Sequence, residues 1–167
     1  MKTGSGENTR ELSTISIRPA TPADCEGILA CLHSAFEPFR SQYTAGAYSD
    51  TVLDLNTLKE RFRQMIVFVA VADSEEVIGT IACQAKNWEG HLRGMAVLPS
   101  WQGQGVSKRL LDRSESHLRE AGCNRITLDT TQPLQRAVHF YTRNGFFATG
   151  RSVDFFGMPL FEYEKRL

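Results

Sequence analysis

Residues 91–111 read HLRGMAVLPSWQGQGVSKRLL: a short apolar strand, a proline stop at Pro99, a turn carrying Gly103 and Gly105, and then an amphipathic helix. At a helix start reached in this way, the first backbone N–H groups have no intrahelical acceptor and point at whatever lies before them. The stretch is therefore read as a socket for a phosphate. Gly103 and Gly105 lack a Cβ, so the chain bends sharply and a bulky pyrophosphate can approach the main chain. Val106, Leu110, Leu111 and Leu118 recur at helical spacing and give the socket a packed support. Lys108, Arg109 and Arg113 add positive charge in the first turns, where the helix dipole is already positive and a helix built only for stability would carry acids. Two other phosphate motifs do not fit. A dinucleotide fingerprint needs a third glycine where Lys108 stands, and a P-loop needs G-x-x-x-x-G-K-[ST]. Neither nicotinamide nor ATP is implied, and G-x-G alone can simply separate a strand from a helix.

The rest of the chain supplies a frame for this element. A length of 167 residues with 41% apolar composition suits one globular domain with a real core. Nineteen basic and nineteen acidic residues balance, which argues against nucleic acid as the main partner. No apolar run is long enough to span a membrane, and no secretory signal is read, so a cytoplasmic protein is expected. Cys25, Cys31, Cys83 and Cys123 form no C-x-x-C pair and no metal-ligand spacing, and are expected as reduced, mostly buried thiols. Residues 1–13 are polar and aperiodic, as in a flexible N-terminal tail, leaving 14–167 as the domain.

Ile15 to Arg18 alternates as a half-buried strand, and Thr21-Pro22-Ala23-Asp24 has the form of a helix start leading to Phe36. Residues 37–51 lose all periodicity but carry Phe39, Tyr43 and Tyr48, the composition of a packed or functional loop. A second helix is expected over Leu55 to Met65, with Leu55, Leu58, Phe62 and Met65 on one face. Met65 to Ala72 and Val77 to Lys86 read as a hairpin, the first strand apolar enough to be covered on both sides. After the phosphate helix, Ala121-Gly122 is a stop, Arg125 to Thr131 a strand, and Pro133 opens a helix capped at Asn144-Gly145. Two strands close the chain around residues 156–159. Exposed aromatics at Phe155 and Phe156 leave a homodimer open.

The stretch Met95-Ala96-Val97-Leu98-Pro99 followed by Gln102-Gly103-Gln104-Gly105-Val106-Ser107 resembles motif A of the GNAT superfamily of N-acetyltransferases, with Ser107 in place of the usual final glycine or alanine. Ala137 to Phe146, AVHFYTRNGF, resembles the family's A-x-x-[FL]-Y-x-x-x-G-[FY] signature, and the element order matches that family from about residue 14 onward. The resemblance implies an α+β GNAT fold, a central mixed twisted sheet of about seven strands flanked by about four helices. It also implies acetyl-CoA as co-substrate, with the amides of Gln102, Gly103, Gln104, Gly105, Val106 and Ser107 on the pyrophosphate. Met95, Ala96 and Val97 would lie along the pantetheine beside a bulge that Gly94 permits, with Val97 as the backbone donor to the thioester oxygen. Residues 37–51 and the helices beside them would wall the acceptor pocket. Relatives often carry Asn where this chain has Leu134, so that pantetheine contact is lost or passes to Gln135.

Chemistry then assigns roles. Amine attack on a thioester expels a thiolate, and the resemblance makes Tyr141 the phenol that protonates it. The amine must shed a proton. Relatives often use a glutamate on the central strand, but the strand here offers His91 and Arg93. His91 titrates near neutrality, Glu89 just before it competes for the role, and an ordered water chain is the third option. No cysteine stands where an acyl-enzyme would need one, which favours direct attack in a ternary complex. The reading is an acetyl-CoA-dependent N-acetyltransferase acting on a primary amine, preferably of a small molecule, with no metal. Alternatives are a non-catalytic CoA-binding module, a protein N-acetyltransferase, or an enzyme for another acyl-CoA.

Overall fold

The computed structural model describes residues 14–167. The tail expected over residues 1–13 lies outside the described residues. Seven strands, β1 (Ser16–Pro19), β2 (Ile66–Val71), β3 (Val77–Lys86), β4 (Glu89–Val97), β5 (Arg125–Thr131), β6 (Phe147–Phe155) and β7 (Met158–Arg166), form one sheet in the order β1-β2-β3-β4-β5-β7-β6. Among the described residues only β4 and β5 pair in parallel. Five α-helices flank the sheet: α1 (Cys25–Phe36), α2 (Ala45–Thr51), α3 (Leu55–Gln64), α4 (Val106–Glu120) and α5 (Gln135–Arg143). The fold is the mixed α+β arrangement expected, with one more helix than the four anticipated.

Strand alternation divides the core in two. Val67, Val69 and Val71 of β2 pack with Ile28, Leu32 and Leu58 from α1 and α3. Phe68 and Ala70 of the same strand face Leu110, Leu111 and Leu118 of α4, together with Tyr141 of α5. The period of two thus buries β2 on both sides, as its continuous apolar sequence requires.

Two local devices join the first strand to the first helix. Arg18 donates to both carboxylate oxygens of Asp24 at 2.7 and 2.9 Å, and the Thr21 backbone N–H donates to the same group at 2.7 Å. These bonds, the arginine's above all, hold the Asp24 carboxyl down to about 2. The helix start expected at Thr21 therefore exists, although its first turn, Pro22–Asp24, is a 3₁₀ turn.

The expected loop over residues 37–51 is instead a 3₁₀ segment, Glu37–Gln42, and the helix α2. Thr44 caps α2 by accepting from the Ala47 N–H at 3.3 Å, and the Thr51 hydroxyl donates back to the Ala47 carbonyl. Its docking residues are small, which is why no apolar stripe announces it. Ala47 is fully buried, and at Gly46 a Cβ would lie only 2.7 Å from the Phe156 ring. The hydroxyl of Thr44 also donates to the Phe156 carbonyl at 2.7 Å, so α2 is fastened to the β6–β7 turn. Leu55, placed by periodicity on the buried face of α3, is 46% exposed, whereas Leu58 carries that face. Phe155, expected to be exposed, is half-buried; Phe156 is exposed at its edge.

Candidate active site

The geometry of β4 decides where chemistry can happen. Leu92 belongs to the α4 side of the core and Ala96 to the α1 side, although both are even-numbered positions of one strand. Their opposition requires one extra residue between them. The register agrees: Thr80 opposes Ala96 while Ala82 opposes Arg93, three steps on β4 against two on β3. Gly94 takes φ +67°, the left-handed conformation that a bulge residue needs.

Past the bulge, β4 leaves β5. The parallel ladder runs from Glu89↔Arg125 to Leu92↔Leu128 and stops, although β5 continues to Thr131. Leu98 N–H donates to the Ile78 carbonyl at 2.9 Å, which makes Gly79↔Val97 a non-hydrogen-bonded pair of the β3–β4 ladder. The N–H of Val97 consequently turns away from β3 toward the gap, and so, by the same alternation, does that of Met95. A cavity of about 430 Å³ occupies this opening, lined by His91, Arg93, Gly94 and Met95 of β4, by Asp129, Thr130 and Thr131 of β5, and by Tyr141. Met95 reaches the cavity wall; Val97 lies further along the gap.

Each candidate residue can now be located. Tyr141 is 8% exposed, its ring held edge-on between Phe140 and Phe146 with centroids 5.3 and 5.5 Å away. Its hydroxyl has no hydrogen-bond partner among the described residues, and burial raises its pKa well above the ordinary tyrosine range. His91 lines the same cavity from the last paired stretch of β4. Its Nδ1 lies 2.9 Å from the Thr127 hydroxyl, which itself reaches the Gly90 carbonyl at 3.5 Å. That chain assigns the proton to Nδ1 and leaves Nε2 as the basic atom, 3.7 Å from the Asp129 carboxylate. Burial lowers the His91 pKa and raises that of Asp129, while their mutual attraction opposes both shifts. Glu89, the competing base, is not on the cavity wall; its carboxylate faces Arg125 at 3.4 Å.

Sequence reasoning did not single out Asp129, Thr130 or Arg61, and named Tyr43 only as one aromatic of the 37–51 loop. Asp129, a carboxylate inside the otherwise buried strand RITLDTT, was a legible anomaly. Thr130 is 4% exposed and its hydroxyl has no partner, a buried polar atom left without a bond. The Tyr43 hydroxyl bonds to that of Thr131 at 2.6 Å and ties the segment before α2 to the end of β5. Arg61, from α3, enters the cavity wall above Gly94.

The phosphate turn has the conformation its glycines suggest. Gly103 and Gly105 take φ +77° and +81°, and a Cβ on either would meet no atom within 4 Å, so the space above them is open. The first intrahelical bond of α4 runs from Arg109 N–H to the Gly105 carbonyl, leaving the N–H groups of Val106, Ser107 and Lys108 without intrahelical acceptors; no side chain caps them. Gln102 braces the turn, donating to the Val97 carbonyl at 3.1 Å and accepting from Arg136 at 3.3 Å, and Gln104 donates to the Ser100 carbonyl. Two of the expected cations are otherwise engaged. Lys108 pairs with Asp112, and Arg113 lies 4.7 Å over the Phe68 ring on the sheet side of α4. Leu134 lines the cavity, and Gln135 donates to the Gln132 carbonyl. Among the described residues no three His, Cys, Asp or Glu side chains gather as a metal site, and no helix is long and apolar enough to cross a membrane.

Comparison with known proteins places this geometry. The sequence profile of the acetyltransferase (GNAT) family matches residues 29–146. An aminoglycoside N(6')-acetyltransferase type 1 of Stenotrophomonas maltophilia is 29% identical over 159 residues, 89% of this chain and 95% of that protein. A peptidyl-lysine N-acetyltransferase of Salmonella typhimurium is 30% identical over 94 residues, 56% of this chain and 59% of that one. In three dimensions the chain resembles the PaiA N-acetyltransferase of Thermoplasma acidophilum, solved in complex with coenzyme A, with a TM-score of 0.79 at 20% identity over 92% of this chain and 99% of that one. The chain belongs to the GNAT family of acetyltransferases and is an enzyme of the acyltransferase class.

Proposed function

We propose that this enzyme transfers an acetyl group from acetyl-CoA to a primary amine of a small molecule, by direct attack within a ternary complex. The residues present suit that co-substrate. Open space over Gly103 and Gly105 and the unpaired N–H groups of Val106 and Ser107 suit a pyrophosphate, and the half-buried Ser107 stands at the helix start without closing that space. The gap beyond Leu92↔Leu128 offers backbone N–H groups to an extended arm that pairs like a strand.

Within the cavity, the amine nitrogen forms a bond to the thioester carbonyl carbon and the carbon–sulfur bond breaks. The charge developing on the carbonyl oxygen is met by a backbone N–H beside the bulge. Met95 is on the cavity wall and takes that role here in preference to Val97, whose N–H is left to the pantetheine arm. The proton lost by the amine passes to Nε2 of His91, directly or through water, and Asp129 stabilises the imidazolium that results. The departing thiolate takes a proton from Tyr141. A buried phenol with a raised pKa is a poor acid in isolation, but beside a basic thiolate in the same dry pocket its hydrogen bond is correspondingly strong.

One observation carries the reading: Tyr141 and His91 line a single cavity, the one that fills the opening beyond the bulge. Tyr141→Phe should lower kcat roughly a hundredfold in a thiol-release assay while leaving acetyl-CoA affinity nearly unchanged. Turnover that survives this substitution intact overturns the assignment of the acid.

A further inference from the structure

Four charged side chains line the cavity, Arg93 and Asp129 from β4 and β5, Asp50 from α2 and Arg61 from α3. Arg93 is paired with Asp50 of α2, and Asp129 faces His91. Arg61 completes the set and has neither an ion pair nor a side-chain hydrogen bond among the described residues. It is not a solvated surface arginine: burial and the neighbouring charge of Arg93 bring its pKa down to about 10, with Asp50 only partly offsetting them. The guanidinium is still cationic at neutral pH, so a positive charge is held in a half-enclosed cavity without a counter-ion, an arrangement that costs free energy until an anion arrives.

The position of this charge is specific. A Cβ on Gly94 would lie 2.5 Å from Arg61 Nη1, so the bulge glycine clears the place in which the guanidinium sits. Arg61 thus stands over the residue next to Met95, where the thioester carbonyl is placed by the mechanism above. His91, the amine's proton acceptor, is three residues upstream, about 10 Å along an extended strand. The cavity's charges balance overall, with Arg61 and Arg93 against Asp50 and Asp129. That balance suits a zwitterion better than a polycation, which would require an excess of carboxylates.

Resting on the proposed acetyltransferase activity, we infer that the acceptor is a small amine bearing a carboxylate, with its carboxylate on Arg61 and its amino group against the thioester carbon, from where its proton passes through water to His91. A free amino acid is the simplest compound of that class. Arg61 is then the residue that selects the substrate, and its planar pair of donors matches a carboxylate in two-point fashion.

The test compares matched acceptors by thiol release: several α-amino acids, each beside its own carboxamide, plus a polyamine and a lysine peptide. The wild-type enzyme should prefer at least one amino acid over its amide by about tenfold or more in kcat/KM. In Arg61→Ala that preference should collapse, through a raised KM for the acid with the amide changed less than about threefold, and Arg61→Lys should retain part of it. Equal use of acid and amide by the wild-type enzyme overturns the inference without needing any variant. So does a wild type that uses only the polyamine or peptide, or an Arg61→Ala variant that loses both members of a pair equally. Absence of thiol release with every amine, from protein that binds acetyl-CoA, is the separate result that would overturn the proposed activity itself.

Discussion

His91 shows how a single residue's chemistry depends on neighbours far away in sequence. Taken alone it is a histidine at a strand start. In the fold, Thr127 fixes its tautomer, Asp129 waits for its charge, and burial favours its neutral form. Because burial is the largest influence, its pKa lies below the ordinary histidine value, and the base form persists to lower pH than a solvated histidine would allow. The acidic limb of kcat/KM is therefore expected to fall at a pH below about 6.5. His91→Gln should remove that limb and cost roughly a hundredfold at neutral pH. Asp129→Asn should move the limb to still lower pH, because losing the carboxylate withdraws the largest of the attractions that favour the imidazolium, those of Glu89 and Glu162 being smaller. A pH–rate profile of the three proteins at saturating acetyl-CoA reads both effects. An unshifted limb in His91→Gln would assign the titration to another group.

At the same scale, legibility followed locality. Tyr141, Gly103 and Gly105 sit in motifs whose members are neighbours along the chain, so the sequence alone placed them. Arg61, Thr130 and Asp129 come from a helix and a strand that meet β4 only after folding. Nothing in the run LKERFRQ distinguishes a half-buried arginine from a solvated one, although Arg61 lies three residues after the fully buried Leu58.

Among the elements, the turn before α4 and the helix α2 make opposite cases. The turn was readable because two left-handed positions demand glycine and an uncapped helix start demands an anion or water. Gly105→Val should test this directly. No atom lies within 4 Å of a Cβ placed there, so the main cost to the fold is left-handed strain, about 1 to 2 kcal/mol or more for a β-branched residue. Acetyl-CoA affinity should fall at least tenfold in the same variant, because the branched side chain fills the space above the turn. Calorimetric titration beside thermal unfolding separates the two effects, and unchanged affinity would place the pyrophosphate elsewhere. By contrast α2 was invisible, since it docks through Gly46 and Ala47, which leave no periodic apolar trace, and through Thr44, whose partner carbonyl is 112 residues away. Its consequence is functional, for Asp50 and Thr51 of α2 and Phe156 beneath it all line the cavity.

For the molecule as a whole, the order of elements along the chain followed from the family resemblance, and the cover on both faces of β2 from its continuous apolar run. The decisive feature was set by a one-residue irregularity. Gly94 lets β4 bulge, the bulge reverses which residues face which layer, and β4 parts from β5 beyond Leu92. A glycine in a strand hints at this but does not specify it. The central claim, that the parted strands and the turn before α4 together seat acetyl-CoA, is tested most directly by calorimetric titration of the purified protein with acetyl-CoA, with ATP and NAD as controls. One site per chain in the micromolar range for acetyl-CoA, with neither control binding, is the predicted result; no heat with acetyl-CoA or with free CoA would contradict it.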